Sequence, residues 1–283
     1  MKLFAINEIL TAAALSFFAL VLGGGHATAG PKVYVGKPCD SPNRPSLAQV
    51  DHSALDGLLQ KYVDGGGLVA YGKWKANAAD VKALDGYLEK SGCVDLQKPV
   101  ARQVQVAYWI NVYNALTLKA ILREYPTSCI CQHRFKIGGV NIFKDLVLWV
   151  DGTYYSLDDI EHRTLRKMGE PRIHFAIVCG GKGCPPLVNR VYTADGLDKQ
   201  LTANAQRFFA KPSNFRVEGK TVRTSQLLKW YGTDFGRTPA EQWRSLRPYL
   251  PASDSMAWLD SGAFTVRYTD YDWTLNDQDP VSP

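Results

Sequence analysis

Apolar residues recur every three or four positions in three segments of the first half of the chain. In residues 53–63 and 77–90 they line one side of a helical projection, which predicts two amphipathic helices. In residues 103–124 they occupy most sides, and a proline follows closely, so this segment is predicted to be a long helix. A helix that is apolar nearly all round belongs at the centre of a fold.

The second half of the chain mixes strand and helix patterns. Two runs rich in β-branched and aromatic residues flank Asp151-Gly152, a dipeptide that suits the left-handed positions of a two-residue turn, so residues 146–156 are predicted to form a β-hairpin. We also expect helices at 156–166, 193–209 and 225–235, a short strand-like run at 68–71, a buried strand at 173–179 and a late strand at 263–268. Strands and helices do not alternate strictly. The pattern therefore predicts an α+β fold with mixed helices around a small, mainly antiparallel sheet.

Composition and charge narrow the class of protein. The chain has 283 residues, of which 46% are hydrophobic and 21% charged, as in ordinary globular proteins. No low-complexity linker interrupts its middle, so a single α+β domain is predicted at 30–283, beginning with an irregular segment at 30–50. The net charge of +6 is modest and the basic residues are scattered, which argues against a nucleic-acid partner.

The N-terminus has the features of a secretory signal peptide at 1–29. Lys2 provides a positive start, residues 9–22 are largely apolar, and Ala27-Thr28-Ala29 is typical of a cleavage site. The apolar run is shorter than the about 20 residues that cross a bilayer, and no later run reaches that length. We therefore expect a secreted or periplasmic protein whose mature chain has no transmembrane segment.

Six cysteines in an exported chain favour disulfides, because the compartment is oxidising. Paired zinc-ligand spacings and phosphate-binding loops are missing from the sequence, so neither a metal nor a cofactor is predicted. Cys179 and Cys184 lie in the run Cys-Gly-Gly-Lys-Gly-Cys. The sequence allows two interpretations of this pair, a structural disulfide or reactive thiols.

Candidate chemistry is densest in residues 158–185. The candidate catalytic residues in this segment are Glu161, His162, His174, Cys179 and Cys184. Thiol catalysis needs a base beside the sulfur and a third group that orients the base. His162 or His174 is the candidate base, and Glu161 is the candidate orienting group. In a strand at 173–179, His174 and Cys179 point to opposite faces, whereas the glycines before Cys184 let the chain reverse towards either histidine. Cys184 is therefore the predicted nucleophile and Cys179, at the end of a buried strand, the weaker candidate; a hydrogen-bonded core histidine is an equal alternative for His174.

Asn111 and Asn114 lie three residues apart on the long predicted helix, and thus on one face of it. Buried amides need hydrogen-bond partners. The pair is interpreted either as a tie between neighbouring backbone segments or as part of a ligand-binding site.

Four stretches of the sequence resemble a known family. They are Tyr-Trp-Ile-Asn-Val-Tyr-Asn-Ala at 108–115, Tyr-Ser-Leu-Asp-Asp-Ile-Glu-His-Arg-Thr-Leu-Arg at 155–166, Pro-Arg-Ile-His-Phe-Ala-Ile-Val-Cys-Gly-Gly-Lys-Gly-Cys-Pro-Pro-Leu at 171–187, and Tyr-Asp-Trp-Thr-Leu-Asn at 271–276. They resemble the bacterial and plant family of domain of unknown function 547. The chain departs from that family at Gly183, where relatives often carry Ser, and at Cys129-Ile-Cys131.

The resemblance implies a site more than a reaction. Its Glu-His and His-to-Cys-Pro motifs are similar in ingredients to those of papain-like cysteine enzymes, which implies acyl transfer and a permuted papain-like arrangement. By motif position it assigns Glu161, His162, His174, Cys179 and Cys184 to the site. Arg166 and Arg172 are assigned as holders of an anion or carboxylate.

Two hypotheses of function follow. In the first, the protein is a cysteine-dependent amide or thioester hydrolase or acyl transferase that acts on a small, peptide-like substrate. In the second, it is a non-catalytic cell-envelope binding module in which Cys179 and Cys184 form a structural disulfide. A free, reactive thiol distinguishes the two.

Cys39 and Cys93 lie outside the four matched stretches, in the N-terminal part of the chain. An exported protein exposes unpaired thiols to oxidants. We therefore predict a disulfide between these two cysteines.

Cleavage of the signal peptide is the first testable prediction. The small residues at 27–29 end the apolar run, and the proline-rich segment that follows is suited to present the site to a peptidase. Intact-mass measurement of the exported protein is expected to show a chain that lacks residues up to about Ala29. Recovery of the full-length chain would contradict the prediction.

Overall fold

The computed structural model describes residues 32–129, 141–251 and 264–279. Its helices are α1 Ser53–Tyr62, α2 Tyr71–Ala76, α3 Ala78–Gly92, α4 Arg102–Glu124, α5 Leu197–Phe209, α6 Gln226–Tyr231 and α7 Pro239–Leu246. Its strands are β1 Val33–Val35, β2 Leu146–Val150, β3 Thr153–Ser156, β4 Phe215–Glu218, β5 Thr221–Ser225 and β6 Thr265–Thr269. Short 3₁₀ turns and a π-helical segment at Asp159–Leu165 connect them. The α+β class is confirmed. The predicted signal peptide and Cys131 lie outside the described residues.

Helix α4 is the central element, as its sequence predicts. Every residue from Val106 to Leu118 is buried, and α4 contacts α2, α3 and the π-helical segment. Its apolar side chains meet neighbours on all sides, which explains why the sequence shows no polar stripe. Among the described residues, no helix is both long and apolar enough to cross a membrane.

Local capping explains where α6 and α7 begin. The side chain of Ser225 accepts the N–H of Leu227 and starts α6. The side chains of Thr238 and Glu241 form a capping box at the start of α7. Both helices follow the pattern in which a hydroxyl satisfies the first free N–H groups.

The described strands form two small sheets rather than the one mainly antiparallel sheet that was expected. In the order β1-β2-β3, β1 pairs parallel with β2, and β2 pairs antiparallel with β3 through the predicted hairpin, whose turn residues Asp151 and Gly152 have φ angles of 43° and 84°. In the order β4-β5-β6, β4/β5 is antiparallel and β5/β6 is parallel. Each sheet is thus mixed. The strands β1 and β6, which pair in parallel with β2 and β5, come from opposite ends of the described chain. No turn sequence connects either of them to its partner, so the pairing has no local sequence signal.

The predicted strand at 173–179 is wrong. Residues Pro171–Phe175 form a 3₁₀ turn, with proline in its first positions and the side chain of Glu170 accepting the N–H of Arg172. Residues 176–179 continue without regular structure. A short apolar run is common to buried strands and buried turns, so the pattern alone does not separate them. The argument that His174 and Cys179 point to opposite faces loses its basis with the strand.

Two hydrophobic clusters meet at this turn. The larger surrounds α4 and includes Ile173, whereas the smaller is rich in phenylalanine and includes Phe175 with Phe208 and Phe209 of α5. His174 therefore lies at the boundary between the clusters. This position accounts for its burial, at 2% exposure.

The N-terminal segment is joined to α3 by a cysteine pair. Cys39 and Cys93 lie at disulfide distance, with their Cα atoms 5.3 Å apart, as predicted. Within the segment expected to be irregular, residues 33–35 form β1 and Leu47–Gln49 forms a 3₁₀ turn.

Removal of this pair is expected to destabilise the fold. The bond closes a loop of 54 residues, so the double variant Cys39→Ser/Cys93→Ser is expected to lose about 2–4 kcal/mol in the free energy of unfolding. Urea denaturation without reductant measures the difference. In the presence of a strong reductant the variant and the wild type should converge, and a difference that persists there would point to a cause other than the disulfide.

Candidate functional site

The glycine-rich loop at 179–184 and the C-terminal segment at 271–276 pair to form one wall of the site. The N–H of Lys182 donates to the carbonyl of Thr274 at 2.7 Å, and the N–H of Gly183 donates to that of Asp272 at 2.8 Å. Gly180 has φ of +87°, and a Cβ atom there would lie 2.4 Å from Ile121. The glycines thus allow the loop to approach both α4 and the C-terminal segment.

Gly183, where the family often has serine, is in tight contact with this segment. A Cβ atom at position 183 would lie 2.9 Å from the backbone nitrogen of Asp272 and 3.0 Å from its carbonyl oxygen. The C-terminal segment therefore packs closer to the loop than a serine would allow without a shift of the backbone.

The five predicted catalytic residues all line one cavity of about 260 Å³. They come from the π-helical segment, the 3₁₀ turn and the glycine-rich loop. The cavity is completed by Tyr113, Asn141, Phe143, Lys144, Asp158, Ile177, Pro185, Leu227, Trp230, Tyr231, Tyr271 and Trp273. The structure thus brings together residues that the sequence placed within one short segment.

The two cysteines of the cavity lie at disulfide distance, with their Cα atoms 6.4 Å apart. The N–H of Cys179 donates to Sγ of Cys184 at 3.0 Å. The hydroxyl of Tyr271 donates to the same sulfur at 3.1 Å and lies 3.4 Å from Sγ of Cys179. Their burial is the reverse of the expectation, since Cys184 is 5% exposed whereas Cys179 is half-buried.

His174 is held by a carboxylate that the sequence did not reveal. Its Nε2 lies 2.8 Å from Oδ2 of Asp234, which also receives two hydrogen bonds from Arg166, each 2.7 Å long. A carboxylate only accepts, so Nε2 of His174 carries the proton. The hydrogen bonds from His174 and then from Arg166 hold the pKa of Asp234 well below its ordinary value.

His162 lies nearer the solvent, with 37% of its side chain exposed. Its Nδ1 is 3.2 Å from Nη1 of Arg166, and its Nε2 is 3.8 Å from a carboxylate oxygen of Asp158. A guanidinium only donates, which assigns the lone pair to Nδ1 and the proton to Nε2. The lone pair of His162 is therefore engaged by Arg166.

Glu161 is buried and contacts tyrosines. The hydroxyl of Tyr113 donates to its carboxylate at 3.2 Å. Burial, and then the charge of Glu161, raise the pKa of Tyr231 far above its ordinary value. The Tyr231 ring stacks on His174, with ring centroids 4.1 Å apart. Asp234, and not Glu161 as expected from the sequence, is thus the carboxylate in contact with His174.

The four remaining predicted residues are not among those that line the cavity. Arg166 is engaged with Asp234 and His162. Arg172 bonds Glu170 and Asp198, each at 2.8 Å. The amide of Asn111 bonds the backbone N–H and carbonyl of Tyr192, and that of Asn114 bonds the carbonyl of Ala176 and the N–H of Val178. Both amides thus tie backbone segments to α4.

An aromatic wall flanks the cysteines. Trp230 lies 4.9 Å from Tyr271, and Tyr271 lies 4.5 Å from Trp273, measured between ring centroids. Trp230 is 44% exposed.

Sequence reasoning missed several residues of the site. Tyr271 and Trp273 belong to a stretch that resembles the family but were not predicted as site residues, and Asp234 and Tyr231 carry no sequence signal beyond their place in a predicted helix. Within the described ranges, His, Cys, Asp and Glu side chains do not group in threes as ligands of a metal ion.

The described residues therefore form an α+β fold with a cavity that contains a cysteine pair and two histidines. Residues 98–209 match the family described as Protein of unknown function, DUF547. The resemblance predicted from the motifs is thus confirmed for the stretch that contains all nine predicted site residues. No curated protein and no solved structure gives a significant match.

The hydrogen bonds that Asp234 accepts from Arg166 and His174 are expected to stabilise the fold in a pH-dependent manner. Asp234→Asn should lower the free energy of unfolding at pH 7 by about 1–3 kcal/mol, because charged hydrogen bonds are lost. The folded-state pKa of Asp234 is lowered, so its contribution is complete above the ordinary aspartate pKa of about 4 and declines as the pH falls below it.

Denaturation of wild type and variant between neutral and acid pH tests this. The matched control is Asp198→Asn, whose carboxylate also meets an arginine but is 89% exposed, and it should change stability little. A stability difference for Asp234→Asn that does not narrow in acid would contradict the assignment.

Proposed function

We propose that the protein is a cysteine-dependent acyl-transfer enzyme, a hydrolase or acyl transferase for amides or thioesters. The proposal rests on one observation: a histidine held by a carboxylate lines the same cavity as a cysteine whose sulfur accepts two hydrogen bonds. Nucleophilic catalysis by a thiol uses a nucleophile, a base and a group that orients the base. In this proposal Cys184, His174 and Asp234 take these roles.

His174 is the better base of the two histidines. Asp234 accepts the proton of Nε2, so Nδ1 of His174 carries the lone pair that receives a proton. The same carboxylate stabilises the imidazolium that then forms. In His162 the lone pair is engaged by Arg166, which makes His162 a hydrogen-bond donor towards bound substrate through Nε2.

The sulfur of Cys184 is suited to the role of nucleophile once it is reduced. The N–H of Cys179 and the hydroxyl of Tyr271 both point at it and would stabilise a thiolate. In the proposed reaction His174 takes the thiol proton, and the thiolate attacks the carbonyl carbon of the substrate. His174 then returns the proton to the leaving amine or thiol. Water or an acceptor releases the acyl group from Cys184.

The lining of the cavity favours a small substrate with an apolar or planar group. Trp230, Tyr271 and Trp273 line the same cavity as the two cysteines and offer aromatic surface to a substrate. Lys144 and Asp158 line the same cavity and provide one charge of each sign, which suits the charged groups of a peptide-like molecule. The signal peptide predicted from the sequence supports a secreted or periplasmic location for this reaction.

The second candidate is the non-catalytic binding module. Its support is the disulfide distance between Cys179 and Cys184, which in the oxidised state leaves no thiol to act as nucleophile. The two candidates differ in what happens after reduction. An enzyme gains a reactive thiol, whereas a binding module gains two inert ones.

Alkylation of the reduced protein tests the proposal. Iodoacetamide is added across pH, and trypsin then separates the two cysteines, because Lys182 lies between them: Cys179 falls in peptide 173–182 and Cys184 in peptide 183–190. Cys184 is expected to react at a lower pH than a free model thiol, since its thiolate is hydrogen-bonded. Labelling no faster than the model thiol would favour the binding module.

Turnover of amide and thioester substrates gives the second readout. Cys184→Ala should abolish it, and His174→Ala should lower kcat/KM by about a hundred- to ten-thousandfold, the range for loss of a general base. The control is His52→Ala, because His52 bonds Tyr87 outside this cavity and should leave kcat/KM unchanged. A loss on His162→Ala that equals the loss on His174→Ala would contradict the choice of base.

A further inference from the structure

The two sulfur atoms of the cavity differ in their access to solvent. Cys184 is 5% exposed and belongs to the larger hydrophobic cluster, whereas Cys179 is half-buried at its edge. In thiol–disulfide exchange, access decides which sulfur an incoming thiolate attacks. A small thiol that enters the cavity therefore meets Cys179 first.

Cys184 is also the better leaving group. Its sulfur accepts the N–H of Cys179 at 3.0 Å and the hydroxyl of Tyr271 at 3.1 Å, whereas Cys179 lies 3.4 Å from that hydroxyl. A thiolate that is stabilised by hydrogen bonds leaves a disulfide faster. Access and leaving-group stability thus favour the same direction of opening.

We propose that the cavity has a second activity: thiol–disulfide exchange with low-molecular-weight thiols, which enters at Cys179 and releases Cys184. The incoming thiolate attacks Sγ of Cys179, the bond between the two sulfurs breaks, and its electron pair leaves on Cys184. A second thiolate of the same class attacks the mixed disulfide and releases Cys179. Two small thiols are thereby oxidised to their disulfide, and the protein pair is reduced to two thiols.

The exchange would switch the acyl-transfer activity, and this consequence rests on the proposed function. In the disulfide, the sulfur of Cys184 cannot attack a carbonyl. Its release as the first product of exchange places a thiolate in the cavity that His174 also lines. The exchange reaction itself does not depend on any acyl substrate.

The position of the mixed disulfide tests the proposal directly. Oxidised full-length protein is treated briefly with limiting mercaptoethanol, quenched with N-ethylmaleimide and digested with trypsin. Mercaptoethanol is expected on peptide 173–182 and maleimide on peptide 183–190, with at least about a tenfold excess over the reverse pattern. The Cys39–Cys93 pair, which lies elsewhere in the fold, is the internal reference for opening rate. An adduct mainly on Cys184, an even distribution, or opening no faster than that of Cys39–Cys93 would overturn the proposal.

Tyr271 acts here as a positioning residue, and its hydroxyl gives a second test. Tyr271→Phe should slow the opening and move alkylation of Cys184 to higher pH, because one donor to the thiolate is lost. Tyr268→Phe is the matched control, since Tyr268 is 40% exposed on β6, and neither readout should change. An unchanged pH profile in Tyr271→Phe would contradict its role in stabilising the leaving thiolate.

The two proposals fail separately. If mercaptoethanol opens the pair through Cys179 but reduced protein never turns over an acyl substrate, exchange stands and the acyl-transfer function falls. If reduced protein is active but the adduct forms on Cys184, the function stands and the route of exchange falls. In the variant Cys179→Ser, Cys184 has lost its disulfide partner, so alkylation of Cys184 without reductant is expected whichever of the two proposals fails. If the pair is oxidised in the wild type and Cys184 of the variant is still not alkylated, the disulfide with Cys179 is not what protects Cys184.

Discussion

The site depends on asparagine side chains that replace the hydrogen bonds of a sheet. Residues 176–178 are buried yet irregular, and no strand in the described part of the chain pairs with their backbone. The amide of Asn114 bonds the carbonyl of Ala176 and the N–H of Val178, and Asn111 does the same for both backbone groups of Tyr192. Each such group, left unpaired, costs about 1–3 kcal/mol. Because both amides lie on one face of α4, the central helix determines where the chain enters and leaves the glycine-rich loop.

Once this loop is positioned, the site is completed by segments that are distant in the sequence. The C-terminal segment pairs with the loop and places Tyr271 beside the sulfurs, while the 3₁₀ turn after α6 brings Asp234 to His174. Arg166 links the two histidines, because it bonds both Asp234 and His162. The candidate site therefore combines residues of the stretch at 98–209, which the family match covers, with α6 and the turn that follows it and with the C-terminal segment, which the match does not cover.

The sequence predicted the parts of the fold that local patterns determine. The periodicity of α1, α3 and α4 follows from burial of one or all faces, and the hairpin follows from the backbone preference of Asp151-Gly152. The parallel pairings of β1 and β6 depend on contacts between distant segments, for which a single sequence holds no local signal. Asp234 was missed for the same reason, since 60 residues separate it from His174. The candidate cluster at 158–185 could be recognised because its members are close in sequence as well as in space.

Burial and reactivity make opposite demands on Cys184. At 5% exposure its sulfur has lost most contact with water, which disfavours a charged thiolate. The N–H of Cys179 and the hydroxyl of Tyr271 supply hydrogen bonds in place of water. One donor belongs to the glycine-rich loop, and the other belongs to the C-terminal segment that pairs with this loop through Lys182 and Gly183. The tight packing at Gly183 thus bears on chemistry as well as on folding: the backbone pairing that shapes the loop also sets the distance between the tyrosine hydroxyl and the two sulfurs.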